Sequence, residues 1–418
     1  MRRMPTTTAR PDLAQQIVEA AIAQAALGGL DSLTLRDLAR MVGKSTTVIV
    51  NLFGTKSGLI QAAGEEALRQ DAAFHEGFFG SVADLPLEPG SLLALCQTYL
   101  RRRVGGEAGF ARIWEALLLD AAPTSEQRDL MERWHAMRCA AWRRYLARDA
   151  RLDAFVEPLV AWLTFEQYYA GALRGRADYG VVAAEGLGAM IDRAFGLADG
   201  PATATFWYRD AMVLPQAPAR DAEPEAMRRK LLDIAADQIL AGGITAITNR
   251  SVSAVAATST STIAYHWPDM RHFVLDAVWH SVFRDMPGHL AGHTPDGDPA
   301  VVDLDRWAAI MAPTVAIGGE AEGFYVRYAR LIASICIEAR RDPSLRDLAM
   351  LLRGPEGGGT YYKQTGVWPA DFDLNRLAAT RFALWIKAEA LLSCARGRLL
   401  DKDALKAAAC LLVARQSS

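Results

Sequence analysis

The chain has 418 residues, too many for one ordinary hydrophobic core, so two or more domains are expected. A formal net charge of −2 with 51% apolar residues excludes a uniformly basic nucleic-acid coat and confines any DNA contact to a local patch. Five scattered cysteines without CxxC spacing exclude a disulfide frame and a zinc site, and the missing long apolar run excludes a membrane span. With a polar stretch at residues 1–10 in place of a signal peptide, a reduced, cytoplasmic protein is expected.

In chain order, residues 12–27 carry Leu13, Ile17, Ala20, Ala21 and Ala25 on one helical face and stop at Gly28-Gly29, which predicts a first helix. Thr34 starts a short helix, with Asp37 supplying the acid of a capping-box pattern and Leu35, Leu38 and Ala39 facing the core. Val42-Gly43-Lys44 forms a turn in which glycine takes a positive backbone angle. Ser45 then caps a helix over 46–52. Ile49 and Phe53 fasten that helix inward and leave Thr46, Thr47, Val48, Val50 and Asn51 facing outward or into a groove. Lys56 and an amphipathic run over 59–68 follow.

The pattern returns 214 residues later. Gly29, Thr34, Arg36, Ser45 and Ile49 fall on Gly243, Thr248, Arg250, Ser259 and Ile263 without a gap, Phe53 meets Trp267, and Leu59-Ile60 meets Phe273-Val274. Farther on, Arg128-Asp-Leu resembles Arg346-Asp-Leu, and Arg174-Gly-Arg resembles Arg396-Gly-Arg, in the same order. Two homologous halves are expected, each of a normal domain-scale length. Pro215, Pro218 and Pro224 mark an extended linker between them. The second copy repeats the plan: a helix over 226–240 stopping at Gly242-Gly243, Thr248 and Ser259 as caps, Thr260, Ser261, Thr262, Tyr265 and His266 on or beside the third helix, and Asp269 capping the fourth.

Two short helices joined by such a turn make a helix-turn-helix, whose second helix enters the major groove while the first crosses the DNA backbone. Hydroxyl side chains at the N-terminus of the groove helix approach bases and phosphates, and Arg36 and Arg250 stand where a bidentate guanine contact can be made. Residues 1–60 hold seven Lys/Arg against four Asp/Glu, and residues 225–274 hold five against four, so the first unit is expected to contribute more of the salt-dependent affinity.

At these residues the chain resembles the TetR family of one-component regulators. The resemblance covers 13–68 through Thr34-Leu-Arg-Asp-Leu-Ala, Gly43, Ser45, Phe53-Gly-Thr-Lys56 and Leu59-Ile60, and in the second copy Thr248, Arg250, Ser259 and Thr262-Ile-Ala-Tyr-His-Trp267. It implies an all-α protein with a three-helix head and a helical regulatory and dimerisation domain in each half. The boundaries are 1–70 for the first head, 71–214 for its regulatory domain, 215–224 for the linker, 225–284 for the second, diverged head and 285–418 for its regulatory domain. By the resemblance Thr34 and Lys56 contact phosphate, Arg36, Thr46 and Thr47 face bases, and Lys44, Ser45 and Asn51 join the same surface. Thr248, Arg250, Ser259, Thr260, Ser261, Tyr265 and His266 are their counterparts. The family's common recognition-helix tyrosine is Val50 in one copy and Ala264 in the other, and Lys56 becomes Met270, which removes phosphate contacts, most of all from the second head.

Members of that family usually pair two identical chains; here one chain is expected to supply both heads. Helices over 154–175 and 181–196 are expected to pack on helices over 375–394 and 401–415 as an intrachain pseudo-dimer, with further homodimerisation also allowed. The partners implied are a double-stranded DNA operator of imperfect palindromic form and a small-molecule effector, with no cofactor and no metal. Trp114, Trp134, Trp162, Phe165, Tyr168 and Tyr169 are the candidates for an effector pocket, weighed against an ordinary helix-bundle core. Arg112, Arg138 and Glu166 are candidates for a polar effector, weighed against simple ion pairing, and Gly357-Gly-Gly is expected to be a flexible loop. The chain carries no GxSxG, P-loop or HExxH pattern, so an enzyme is not expected. Two rivals remain: a homodimer that uses only the first heads, with the second repeat as scaffold, and a ligand- or protein-binding module that has lost DNA binding.

Overall fold

Asp12, extended at its own backbone, opens helix α1 (Leu13–Gly28) by accepting the N–H of Gln15 (2.8 Å), an N-cap that satisfies one of the helix's orphan donors. The computed structural model describes residues 12–30, 33–106, 108–120, 122–212, 226–284, 302–318, 322–362 and 367–415, and the linker expected at 215–224 lies outside them. Helices α1 (Leu13–Gly28), α2 (Leu35–Met41), α3 (Thr46–Phe53) and α4 (Lys56–Gly80) follow the expected order. Ile17, Ala21, Leu38, Ile49, Leu59 and Ala63 form their shared core. Helix α4 does not stop near Leu68 but runs on to Gly80, because Asp71, His75 and Phe78 continue its buried face at helical spacing. Helices α5 (Pro89–Arg103), α6 (Gly109–Leu118) and α7 (Ser125–Leu146) come next.

The chain divides into two compact units, Met1–Ala83 with Arg102–Ala141, and Asp84–Arg101 with Trp142–Ser418. The boundary expected at residue 70 therefore falls inside an unbroken helix, and α1 and α4 pack on α6 within the first unit. The second unit includes α8 (Val156–Ala172), α9 (Ala177–Ala194), α10 (Thr203–Ala211), α11 (Ala226–Gly242), α12 (Asn249–Ala256), α13 (Ser261–His266) and α14 (Met270–Arg284).

The segment α11–α14 repeats several backbone bonds of α1–α4. Gly29 donates to Ala25 O and Gly243 to Ile239 O, both at 2.8 Å, and both glycines have positive φ (72° and 77°). Lys44 N donates to Ala39 O (2.9 Å), and Thr258 N to Ser253 O (3.0 Å). Val48 N donates to Ser45 O, and Thr262 N to Ser259 O, both at 3.1 Å. Leu38, Ile49, Leu59 and Ala63 are buried, and so are their counterparts Val252, Ile263, Phe273 and Ala277. Between α2 and α3 the turn residue Gly43 has φ 64°, and its counterpart Ala257 has φ 54° and ψ 46°, the only positive φ outside glycine among the described residues. An L-residue is strained there because its Cβ crowds the following carbonyl.

The second unit also includes α15 (Leu304–Met311), α16 (Phe324–Ala339), α17 (Arg346–Arg353), α18 (Gly358–Tyr362), α19 (Arg376–Arg396) and α20 (Lys402–Leu412). Helix α8 packs on both α16 and α19, α9 packs on α19, α15 on α20, and α11 on α16. The expected last helix stops at Leu412, and Ala414–Arg415 pairs antiparallel with Phe372–Asp373 as a two-residue ladder closed by Arg415 over the Phe372 ring (5.2 Å). Gly357 is no flexible loop. It is buried at φ 78° against the backbone of α19, where a Cβ would lie 2.5–2.6 Å from atoms of Ala379 and Thr380. All five cysteines are free, and no described helix is long and apolar enough to cross a membrane.

The strained turn yields a stability test. Ala257→Gly is expected to raise stability by about 0.5–1 kcal/mol, the relief of left-handed strain less the added freedom of the unfolded chain, whereas Gly43→Ala lowers it by about 1 kcal/mol. Urea unfolding midpoints of the two variants against the parent would reveal the opposite signs.

Candidate nucleic-acid interface

The first surface is assembled by caps and a turn. Thr34 accepts the backbone N–H of Asp37 (3.0 Å) and donates its hydroxyl proton to the Asp37 carboxylate (2.6 Å). The acid thus takes the hydroxyl proton, not the backbone N–H expected of a capping box. Arg40 pairs with the same carboxylate at 3.1 Å. With Asp37 so occupied, Arg36, Lys44 and Lys56 stand exposed, without an ion pair among the described residues. Lys56 sits in the first turn of α4, behind the Thr55 cap on Gly58 N–H (3.0 Å), where the helix's own field repels a cation.

Ser45 occupies the N-cap of α3 with extended backbone, but its hydroxyl makes no cap bond, contrary to expectation. Ser45, Thr46, Thr47 and Asn51 are exposed, Val50 is 42% exposed, and Ile49 alone on the helix is buried. The exposed groups of α3 and its flanking elements are therefore three cations, three hydroxyls, an amide and an apolar side chain. Cations and an open helix N-terminus suit phosphate; Arg, Asn and Thr suit base edges; Val suits a thymine methyl.

The second surface keeps the frame and changes the chemistry. Thr248 and Ser251 form a complete reciprocal box, with Ser251 N donating to Thr248 Oγ1 (3.0 Å) and Thr248 N to Ser251 Oγ (2.9 Å). Arg250, Thr260, Ser261 and Tyr265 are exposed, Tyr265 at 78%. Ser259 does not cap α13; Thr260 takes that place in helical conformation, and the Ser259 and Ser261 hydroxyls bond to each other at 2.6 Å. His266 is half-buried, edge-on to Tyr265 (5.0 Å) and Trp267 (5.7 Å). Trp267 anchors the helix by donating its Nε1 proton to Asp276 (2.8 Å) beneath Arg228 (5.1 Å). The counterparts of Lys44 and Lys56 are Thr258 and Met270, and the adjacent Arg271 is held by Asp342 (2.7 Å), so of the three cations only Arg250 persists.

No family model matches the chain, and no curated protein matches it.

The candidate effector aromatics are divided between the two compact units. Trp114 and Trp134 belong to the first unit and Trp162, Phe165, Tyr168 and Tyr169 to the second, and all six are fully buried. The rings of Trp114 and Trp134 lie 5.2 Å apart, with Arg138 over Trp114 (4.7 Å). The other four lie on α8, which is covered on several sides and thus forms core. Arg112 is held by Glu115 (3.0 Å) and Glu166 by Arg353 (3.0 Å). A groove of about 840 Å³ does open on the first unit, with Val18, Phe53, Leu68 and Met137 in its walls, and none of the six aromatics lines it.

Sequence reasoning missed the cluster that fastens α4. Buried Asp71 is ion-paired to Arg103, accepts the Trp134 Nε1 proton (2.7 Å) and faces His75 Nδ1 (3.1 Å). Burial pushes its pKa up, but Arg103 and His75 outweigh burial and hold the carboxyl well below the usual range. Its partners are 32 and 63 residues away, and its one local signal is the four-residue spacing to His75.

Asp71→Asn leaves Arg103 buried without its counter-charge and is expected to cost about 3–5 kcal/mol at pH 7. Because the folded pKa is depressed, the carboxylate's contribution is complete above the unfolded value of about 3.9 and is lost as pH falls below it. As the pH is lowered from 7, the stability gap between parent and variant should therefore begin to narrow below about pH 4 and go on narrowing as the pH falls further. Urea unfolding across that range checks both size and sign.

Proposed function

We propose that the chain is a DNA-binding transcriptional regulator similar to the TetR family, in which one polypeptide contributes two helix-turn-helix heads. The observation that carries the reading is the face around α3. Arg36, Lys44 and Lys56 are exposed without an ion pair among the described residues, and so are the hydroxyls of Ser45, Thr46 and Thr47, the residue types that a groove helix and its flanks offer to phosphate and bases. The recurrence of the Thr34 cap as Thr248, and of the turn and the buried positions, at α11–α14 supports a second head on the same plan. Because Thr46, Thr47 and Asn51 are replaced by Thr260, Ser261 and Tyr265, the two half-sites differ and the operator is an imperfect palindrome. The regulator is ligand-responsive, and the Asp71 cluster is the means by which helices behind the first head hold α4. We assign the chain no catalytic role.

Pairing of the two halves within one chain is part of this reading. It is supported by α8 and α9 packing on α19, and by Arg193 at the end of α9 donating to Leu411 O (2.9 Å) at the end of α20. A second reading, in which only the first head reads DNA, is favoured by the loss of two cations and by the mutual Ser259–Ser261 bond.

Fluorescence-anisotropy titrations on a sequence recovered by in vitro site selection, at fixed salt, separate the two. Arg36→Ala and Arg250→Ala should each weaken specific binding by about 1–3 kcal/mol if both heads read DNA. An effect of Arg36→Ala alone makes the second head a scaffold, and no effect of either sinks the DNA reading. Lys56→Ala should weaken binding to all sequences alike and lower the salt slope by about one.

A further inference from the structure

The two buried ion pairs that join α8 and α9 to the later helices share one polarity. Glu166 of α8 accepts from Arg353 Nε with both carboxylate oxygens (3.0 Å each), and both side chains are almost wholly excluded from solvent. Asp199, beyond α9, accepts from Arg381 of α19 at 2.7 and 3.1 Å, and Asn375 donates to it at 2.9 Å. In both, the acid comes from the first half of the chain and the base from the second. A third buried pair, Glu356 with Lys387, is contained in the second half, and Tyr169 of α8 donates its hydroxyl to that glutamate (3.3 Å). The rim pair Arg176–Asp347, with its aspartate exposed, runs the other way.

The repeat does not duplicate these groups. In the register set by Arg174-Gly-Arg and Arg396-Gly-Arg, Ala388 stands for Glu166 and Leu159 for Arg381. In the register of Arg128-Asp-Leu and Arg346-Asp-Leu, His135 stands for Arg353. Two copies of the first half paired with each other would bury Glu166 and Asp199 without Arg353 and Arg381, and two copies of the second half would bury Arg353 and Arg381 without Glu166 and Asp199. A buried charge without its counter-ion is heavily penalised, far more than a matched pair is rewarded.

We propose that these pairs are a partner code: the first half is built to bind the second half and is barred from binding a copy of itself. The inference rests on the two-half reading above and adds to it the residues that choose the partner. The chain then completes its own core, and the functional particle carries one of each half.

The test uses the full chain with a protease site placed within 215–224, cleaved after folding and followed by native mass spectrometry. The expected product is a single species holding one copy of each fragment, near the 45.5 kDa of the intact chain. Separation into monomers overturns the two-half reading, and homodimers of either fragment overturn the code while leaving pairing itself intact. In the double variant Glu166→Leu with Arg353→Met, homodimers should rise at least about tenfold over the parent, and unchanged strict pairing would show that the charges do not choose the partner. Should that variant lose helicity by circular dichroism, Asp199→Asn with Arg381→Gln applies the same test at the second pair. No DNA is present in the measurement, so a failure of operator binding is scored separately.

Discussion

A helix that is apolar around its whole circumference has to be covered on every face, and two such helices lie at the centre of the second unit. Fourteen of the seventeen residues of α8 and eighteen of the twenty-one of α19 are buried. Along most of their length neither has a solvent face on which to place a polar residue, so a buried polar group there needs a partner on a neighbouring element. Glu166 finds Arg353, Arg381 finds Asp199 and the carbonyl of Leu412, and Lys387 finds Glu356. The same covering carries the second head, because α16 packs on α8 on one side and on α11 on another, while Arg271 of α14 reaches Asp342 at its end.

The heads were legible because their signals are local. An N-cap acts over three residues and a turn over four, so Thr34, Thr248, Asp269 and Gly43 declare themselves in any short window. Ala257 does not: alanine argues against a left-handed turn, and only the register with Gly43 places one there. The two serines read as caps failed for a shared reason. A capping hydroxyl is optional where the N-terminal N–H groups face water, and at Ser45 and Ser259 the side chains are exposed and otherwise engaged or free.

The interior was not legible, and distance along the chain is why. Trp134 and Asp71 are 63 residues apart, and Arg353 and Glu166 are 187 apart. Composition around either partner gives no sign of the other. Aromatic residues at helical spacing fit a pocket and a core equally well; what decides is how many sides of α8 are covered, a tertiary fact. Gly357 misled in the opposite sense: a glycine run suggests slack, but here it is the close approach of α19 that requires the missing Cβ.

The shared frame of the two heads also limits what that frame can prove. Ile263 and Trp267 are core residues of the second head, and they hold α13 in place whether or not it touches DNA. Retention of the turn at Ala257 therefore follows from packing alone. The exposed positions carry the functional information, because folding places no demand on them. There the first head keeps Arg36, Lys44 and Lys56, whereas the second keeps Arg250 and sets Tyr265 in open solvent where the first has Asn51. A surface with one arginine and a protruding aromatic ring attracts phosphate weakly and makes closer demands on shape. If both heads act, the first supplies most of the salt-dependent attraction and the second contributes mainly to the choice of site.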